Sequence, residues 1–474
     1  MRYSKLVLPA AGKMSVKILS PIFVIACLLV TFKPAAHAVP SYSRQTGLPC
    51  ATCHFAPPEL TPFGRKFKLD GYVFTTKAQI TDGKDSDKDK PKKDHNSPLH
   101  LLEAFPLSVL FDTSFTSTSS PQPTTQNGNF QFPQDVALFL AGAWGSHVGS
   151  FAQVTYTLTG NHFGWDNTDV RYANNHSLFG KSLTYGITFN NNPTVEDLWN
   201  STPAWGFPFT ASNVSPSPLA KALINGPLAQ DVAGFGAYGM WNEHLYIGGT
   251  IYRSQHVGGP EPNPGTLFPV NIRGVAPYWR LAWQTSTTNN SLEIGTYGMH
   301  VKSTPGAITI GGPTNSYTDW AFDFQFDHTI PQFRNDVISF RGSYIRENSS
   351  LAATLLDTGK GPGASFAHHH LNTVQANAEY HYGTKLSGTV GLFSVNGTPD
   401  PILYPPGAIV GSANGDPRSN GYILNLSWWP EQNIDLAVQY TGFLRFNGGE
   451  ANYDGAARSA GGNNAIFLLA RFVF

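Results

Sequence analysis

Cysteine, methionine and charge are all scarce in this chain. Of its 474 residues three are Cys and four are Met, and Asp, Glu, Lys and Arg together make up 13%. Cys27 lies in an N-terminal apolar run, so Cys50 and Cys53 are the only cysteines of the body. Two cysteines cannot supply a four-thiolate zinc site, and no further soft ligands stand at zinc spacing around them. With the helix-favouring residues Glu, Lys and Met so few, and Gly, Ser, Thr, Asn and aromatics abundant, the composition speaks for strands and turns. No apolar run of ~18 residues follows the N-terminal one, so the chain crosses a bilayer as a barrel or not at all. There is no G-x-S-x-G, H-E-x-x-H or phosphate loop, which leaves hydrolytic and transferase chemistry without support. A basic surface is absent as well. The first 38 residues hold Arg2, Lys5, Lys13, Lys17 and Lys33 and no acid. Setting these five aside from the 31 basic residues leaves 26 against 31 acidic, a net of about −5, so nucleic acid is not a partner.

What is present begins with a leader. Residues 1–38 read as a secretory signal peptide: a basic start, an apolar run and the small-residue site Ala36-His37-Ala38. Export makes an oxidising, extracytoplasmic setting the expectation. Soon after comes Cys50-Ala51-Thr52-Cys53-His54, the C-x-x-C-H signature of covalent haem attachment. Two thiols three residues apart can each add across a haem vinyl group, and the imidazole of His54 then serves as proximal iron ligand. A thioredoxin-type site needs a βαβ setting, and none surrounds the motif. The expected cofactor is therefore one covalent haem c bound by Cys50, Cys53 and His54, with His54 as the metal ligand. Residues 39–75 form a monohaem cytochrome c-like segment too short to bury a core alone, so it needs the haem or the rest of the chain as support. For the sixth ligand Met240, Met299, His95 and His100 are open candidates. Arg65, Lys66 and Lys68 either pair with haem propionates or form a solvated basic face. Residues 76–100 carry a mixed-charge run without apolar residues, which reads as a flexible linker.

From about residue 101 to 474 the pattern has period two. Trp320, Phe322, Phe324 and Phe326 alternate with Asp319, Asp323, Gln325 and Asp327. Sixteen such segments start near residues 101, 135, 148, 168, 182, 231, 244, 275, 290, 316, 335, 371, 386, 419, 433 and 463. Short links such as 145–148, 241–243 and 430–432 alternate with long ones at 119–134, 191–230, 256–274, 350–370, 397–418 and 447–462. An even strand count, short turns at one end, long loops at the other and a last strand closing on Phe474 are the features of an outer-membrane barrel. The fold expected is all-β: a transmembrane antiparallel β-barrel of about 16 strands, porin-like, with the small N-terminal segment plugging its lumen. The longest loop, 191–230, either folds inward or caps the barrel. Asp319, Asp323 and Asp327 line the lumen, where they attract cations or serve as plain polar lining. His368-His369-His370 is expected in a long outer loop, in adventitious metal contact or plainly solvent-exposed.

The leader, Thr46-Gly47-Leu48-Pro49 before the C-x-x-C-H, the following Pro58-Glu59-Leu60-Thr61-Pro62-Phe63-Gly64-Arg65-Lys66-Phe67-Lys68-Leu69-Asp70-Gly71-Tyr72, and the barrel-like remainder together resemble the bacterial outer-membrane fused monohaem cytochrome–porins, whose best-known members are iron(II) oxidases. The layout matches over the mature chain, while motif-level likeness covers the N-terminal forty residues. The resemblance implies haem on Cys50 and Cys53, His54 on the iron, and the segment seated in the barrel. It implies electron transfer across the outer membrane, with Fe(II) as external donor and a periplasmic c-type cytochrome or similar carrier as acceptor. Two alternatives stay open: a diffusion porin with a haem-bearing redox gate or sensor, and outward transfer to an external acceptor. Porin-like barrels often form trimers, so an oligomer fits the reading by analogy of fold.

Overall fold

The computed structural model describes residues 40–73, 106–122, 127–157, 162–202, 211–254, 271–305, 313–356 and 363–474. The signal peptide, the charged linker, His95 and His100 lie outside them. Alternation of side chains dictates the main architecture. In order the strands are β1 (Leu107–Thr118), β2 (Asn129–Ala143), β3 (Val148–Thr157), β4 (His162–Leu178), β5 (Lys181–Asn190), β6 (Val232–Trp241), β7 (Leu245–Ser254) and β8 (Ala276–Ser286). They continue with β9 (Asn290–Thr304), β10 (Asn315–Ile330), β11 (Asp336–Ser350), β12 (His368–Tyr382), β13 (Leu386–Gly397), β14 (Ser419–Trp428), β15 (Ile434–Arg445) and β16 (Ala465–Val473). A two-residue piece, Asn271–Ile272, extends the line of β8 along β9. Each strand pairs antiparallel with its neighbours, and β16 returns to β1 in register from Leu110↔Val473 to Thr118↔Ala465. The sheet is thus a closed barrel of sixteen strands, with no free edge to template aggregation.

Burial along β10 shows how the wall is built. Trp320, Phe322 and Phe324 are exposed on the outside, while Asp319, Asp323, Gln325 and Asp327 are buried within. The same inversion holds around the wall, with Phe189, Phe235, Ile251, Trp283, Ile294, Val390, Leu392, Leu426 and Val438 outward. Exposed apolar surface on this scale calls for an apolar medium outside, as for a lipid-facing band. Turns at one end are tight. At Asn242 and Glu243, φ is 52° and 62°, the left-handed pair whose twist matches the strands it joins. Among the described residues no helix is long and apolar enough to cross a membrane.

The lumen is filled in two layers. In the half nearer the short turns lies the N-terminal segment, with three helical pieces: α1 (Ser41–Thr46), α2 (Cys50–Cys53) and α3 (Pro62–Leu69). In the other half the loop between β5 and β6 folds inward. The backbone N–H of Ile224 donates to Asp319 and that of Leu223 to Glu347, both at 2.7 Å. The inward alternative for this loop is the one realised. Behind it Ile224, Leu228, Tyr252, Tyr278, Tyr297, Met299 and Ile345 form an apolar core.

Candidate haem-attachment site

The C-x-x-C-H residues occupy one helical turn and the extended residue after it. His54 ends α2, and its backbone N–H closes on the Cys50 carbonyl at 2.9 Å. The chain then doubles back, with Phe55 N–H on the Glu59 carbonyl and Thr61 N–H on the Cys53 carbonyl at 2.9 Å. Thr61 has two further roles. Its hydroxyl donates to the Thr52 carbonyl at 2.7 Å and accepts the Gly64 N–H at 3.1 Å, capping α3 with Pro62 at its first position. Helix α3 packs so closely on α2 that a Cβ at Gly64 would lie 2.2 Å from the Cys53 carbonyl oxygen. The thiols are unpaired, and burial pushes Cys53 up to about 11. His54 is half-buried, and its Nδ1 is sealed with no hydrogen-bond partner among the described residues. Burial pushes the imidazole down to about 4, against a smaller upward pull from the Glu59 and Pro58 carbonyls. A neutral imidazole beside two free thiols on one turn is a donor set that fits a thioether-linked haem. A small cavity of about 40 Å³ opens immediately downstream, between Ala56 and Pro57 and a wall that includes Trp429, Ala437, Phe467 and Leu469.

Opposite walls hold the segment in place. Tyr42 donates to the Ser150 carbonyl at 2.6 Å, and Tyr72 donates to Asp169 at 2.6 Å. Asp169 in turn pairs with Arg171 at 2.7 Å, both side chains being fully buried. Tyr238 donates to the Leu69 carbonyl at 2.8 Å. Across the lumen Arg65 pairs with Asp327 at 3.3 Å and donates to Ser291 at 2.8 Å. Lys68 donates to the Val195 and Asp197 carbonyls, tying the segment to the inward loop. That loop is itself held by Arg280, which meets Glu293 at 3.0 Å, Asp197 at 3.4 Å and Asp323. The backbone N–H of Cys50 donates to Gln432 in the turn between β14 and β15, so the thiols sit at the short-turn end.

Several expectations change here. Arg65 and Lys68 are spent on the wall and the loop, and Lys66 pairs with Asp70 one helical turn on, so they form neither a propionate set nor a uniformly solvated face. Asp319, Asp323 and Asp327 go beyond plain lining, because they bind Ile224, Ser201 and Arg65 of the lumen filling. Met240 is buried against Leu69, and Met299 lies in the upper core. The three histidines open β12 rather than sit in a loop. His369 is buried, stacked on Phe366 and hydrogen-bonded to Asp400 at 2.9 Å, while His368 and His370 point outward. Four residues that sequence reasoning passed over converge beside the motif: Glu59, Arg341, Glu379 and His381. Glu379 and His381 stand two apart on the inward face of β12, and that spacing of polar groups in a strand is the signal that could have found them.

No protein-family model and no curated protein matches the chain. Among solved structures it is similar to outer-membrane porins. The Salmonella typhi OmpF complex with daunomycin is 10% identical, with 78% of this chain and 97% of that one covered and a TM-score of 0.43. The anion-selective porin from Comamonas acidovorans is 11% identical, with 78% and 98% covered and a TM-score of 0.43. OmpT of Vibrio cholerae is 11% identical, with 78% and 96% covered and a TM-score of 0.39.

Proposed function

We propose that the chain is an electron conduit of the bacterial outer membrane, of the fused monohaem cytochrome–porin type. Cys50 and Cys53 would hold one haem c and His54 its iron. Extracellular Fe(II) is the electron donor and a periplasmic c-type cytochrome the acceptor. Such a haem supplies one-electron chemistry, which suits both partners. The observation that carries the reading is the C-x-x-C-H turn, with two free thiols and a neutral imidazole, held by buried ion pairs inside a closed barrel. An apolar band of about 25 Å is too wide for one electron step through lipid, and a site within the lumen shortens it. The position of Cys50 beside the Gln432 turn favours hand-over on the short-turn side, where a periplasmic carrier docks. A lumen occupied by both the segment and the 191–231 loop favours a conduit over a diffusion porin.

The test is stopped-flow absorbance of the detergent-solubilised full chain mixed with Fe(II). Rapid reduction that requires His54, followed by re-oxidation with a periplasmic cytochrome, is the expected result. A chromophore that stays oxidised under Fe(II) yet reduces with dithionite would remove iron as donor.

A further inference from the structure

Where the doubled-back loop after His54 meets β11 and β12, the charges do not balance. Glu59, Asp327 and Glu379 bring three carboxylates to a cluster with two guanidinium groups, Arg65 and Arg341. All five are nine-tenths buried or more. Burying a net negative charge is costly unless a proton or a cation joins it.

The oxygens of the two glutamates are divided between two neighbours. Glu59 turns Oε1 to Arg341, while Oε2 faces His381 Nε2 at 3.6 Å. Glu379 turns Oε2 to Arg341 at 3.6 Å, while Oε1 lies 3.8 Å from the same His381 nitrogen. Glu59 is 2% exposed, Glu379 4% and His381 2%. Despite that burial, Glu59 Oε2, Glu379 Oε2 and both ring nitrogens of His381 have no hydrogen-bond partner among the described residues. Phe55 stacks on the His381 ring at 5.5 Å and fixes its plane. One ligand atom from each of Glu59, Glu379 and His381 falls within 4.8 Å of the others. Ligands bonded to one ion at about 2.1 Å stand about 3 to 4 Å apart, so the closest pairs are already near coordination spacing. Glu379 also lines the small cavity of about 40 Å³ beside Ala56 and Pro57, room for a water next to the site.

We propose that Glu59, Glu379 and His381 form a binding site for a divalent first-row transition-metal ion. One imidazole and two carboxylates are the mixed donor set such ions take, and Arg341 binds the far oxygen of Glu59, leaving its Oε2 toward His381. Because Glu59 comes from the N-terminal segment and the other two from the wall, a bound ion also clamps the segment to β12. The site does not depend on the haem assignment.

Mn(II) is the probe. The purified full chain, stripped with chelator, is titrated with Mn(II) by electron paramagnetic resonance, and the bound signal is examined for nitrogen modulation by pulsed methods. The expected result is one tight Mn(II) per chain with a nitrogen modulation. That modulation should be lost in His381→Gln, and affinity should fall at least tenfold in Glu379→Gln. Glu59→Gln, which leaves the wall untouched, should weaken binding comparably, and heat-modifiable migration reports whether each barrel has folded. A triple His368→Asn, His369→Asn, His370→Asn variant should keep the site. Absence of stoichiometric binding, binding without nitrogen modulation in the native chain, or binding undiminished in Glu59→Gln would overturn the proposal.

Discussion

Gly64 and Arg65 are neighbours in α3 that face different constraints. A methyl group at Gly64 has no room against the Cys53 carbonyl, so Gly64→Ala should push α3 off the C-x-x-C turn and cut haem loading several-fold, read as the haem-to-protein absorbance ratio. Arg65→Met takes the nearer of two cations from buried Asp327 and leaves it Arg341 at 3.8 Å, a loss bounded by the about 3–5 kcal/mol of a fully broken buried pair. The segment should then become cleavable by protease while the barrel stays heat-modifiable. His54 gives a pH signature in the haem-free chain. Its imidazole is held down to about 4 in the folded state against the ordinary 6.5. The unfolded state therefore takes up the proton first. Stability from burying the neutral ring is complete above pH 6.5 and is lost as pH falls toward about 4. Protease release of the segment should rise over that window, and the rise should flatten in His54→Gln. At this scale the attachment motif was legible because its residues are contiguous. The partners of Arg65 were not, since Ser291 and Asp327 come from strands whose register no local pattern specifies.

Strands were the most legible elements. The expected start near 290 is where β9 begins, those near 148, 386 and 419 match β3, β13 and β14, and alternation placed Asp319, Asp323 and Asp327 inside as found. An apolar face turned outward and a polar face turned to the lumen force that period, so each strand announces its own faces. The helices of the N-terminal segment went unread because α1 to α3 are too short for a helical period to develop. The stop–start signals were nonetheless present, in Thr61-Pro62 opening α3 and Asp70-Gly71 after it. Composition could not decide how the 191–231 loop lies, because its inward fold depends on Arg280, a wall residue beyond the loop itself. Arg280→Met removes the shared partner of Asp197, Glu293 and Asp323. The loop should loosen, and single-channel conductance in a planar bilayer should rise above that of the native chain.

For the molecule as a whole, the central point is that a closed sixteen-strand wall surrounds a lumen filled from both ends. The segment crosses between β2–β4 and β9–β12, and the inward loop covers it, with Lys68 joining the two. Native barrels should therefore pass little ion current. Removal of residues 39–73 should raise conductance several-fold in the same bilayer measurement, with the barrel still heat-modifiable. A large native conductance would instead favour diffusion as the task. The lumen filling is consistent with the proposed electron cargo, since a route through packed protein suits an electron and blocks a solute.

The measurement that bears most directly on this account is the intact mass of the chain after export by cells able to attach haem. The expected result is the polypeptide mass plus one haem, with the haem retained under denaturing conditions and absent from Cys50→Ser/Cys53→Ser. A chain at its bare polypeptide mass, with both thiols free to alkylate, would contradict it.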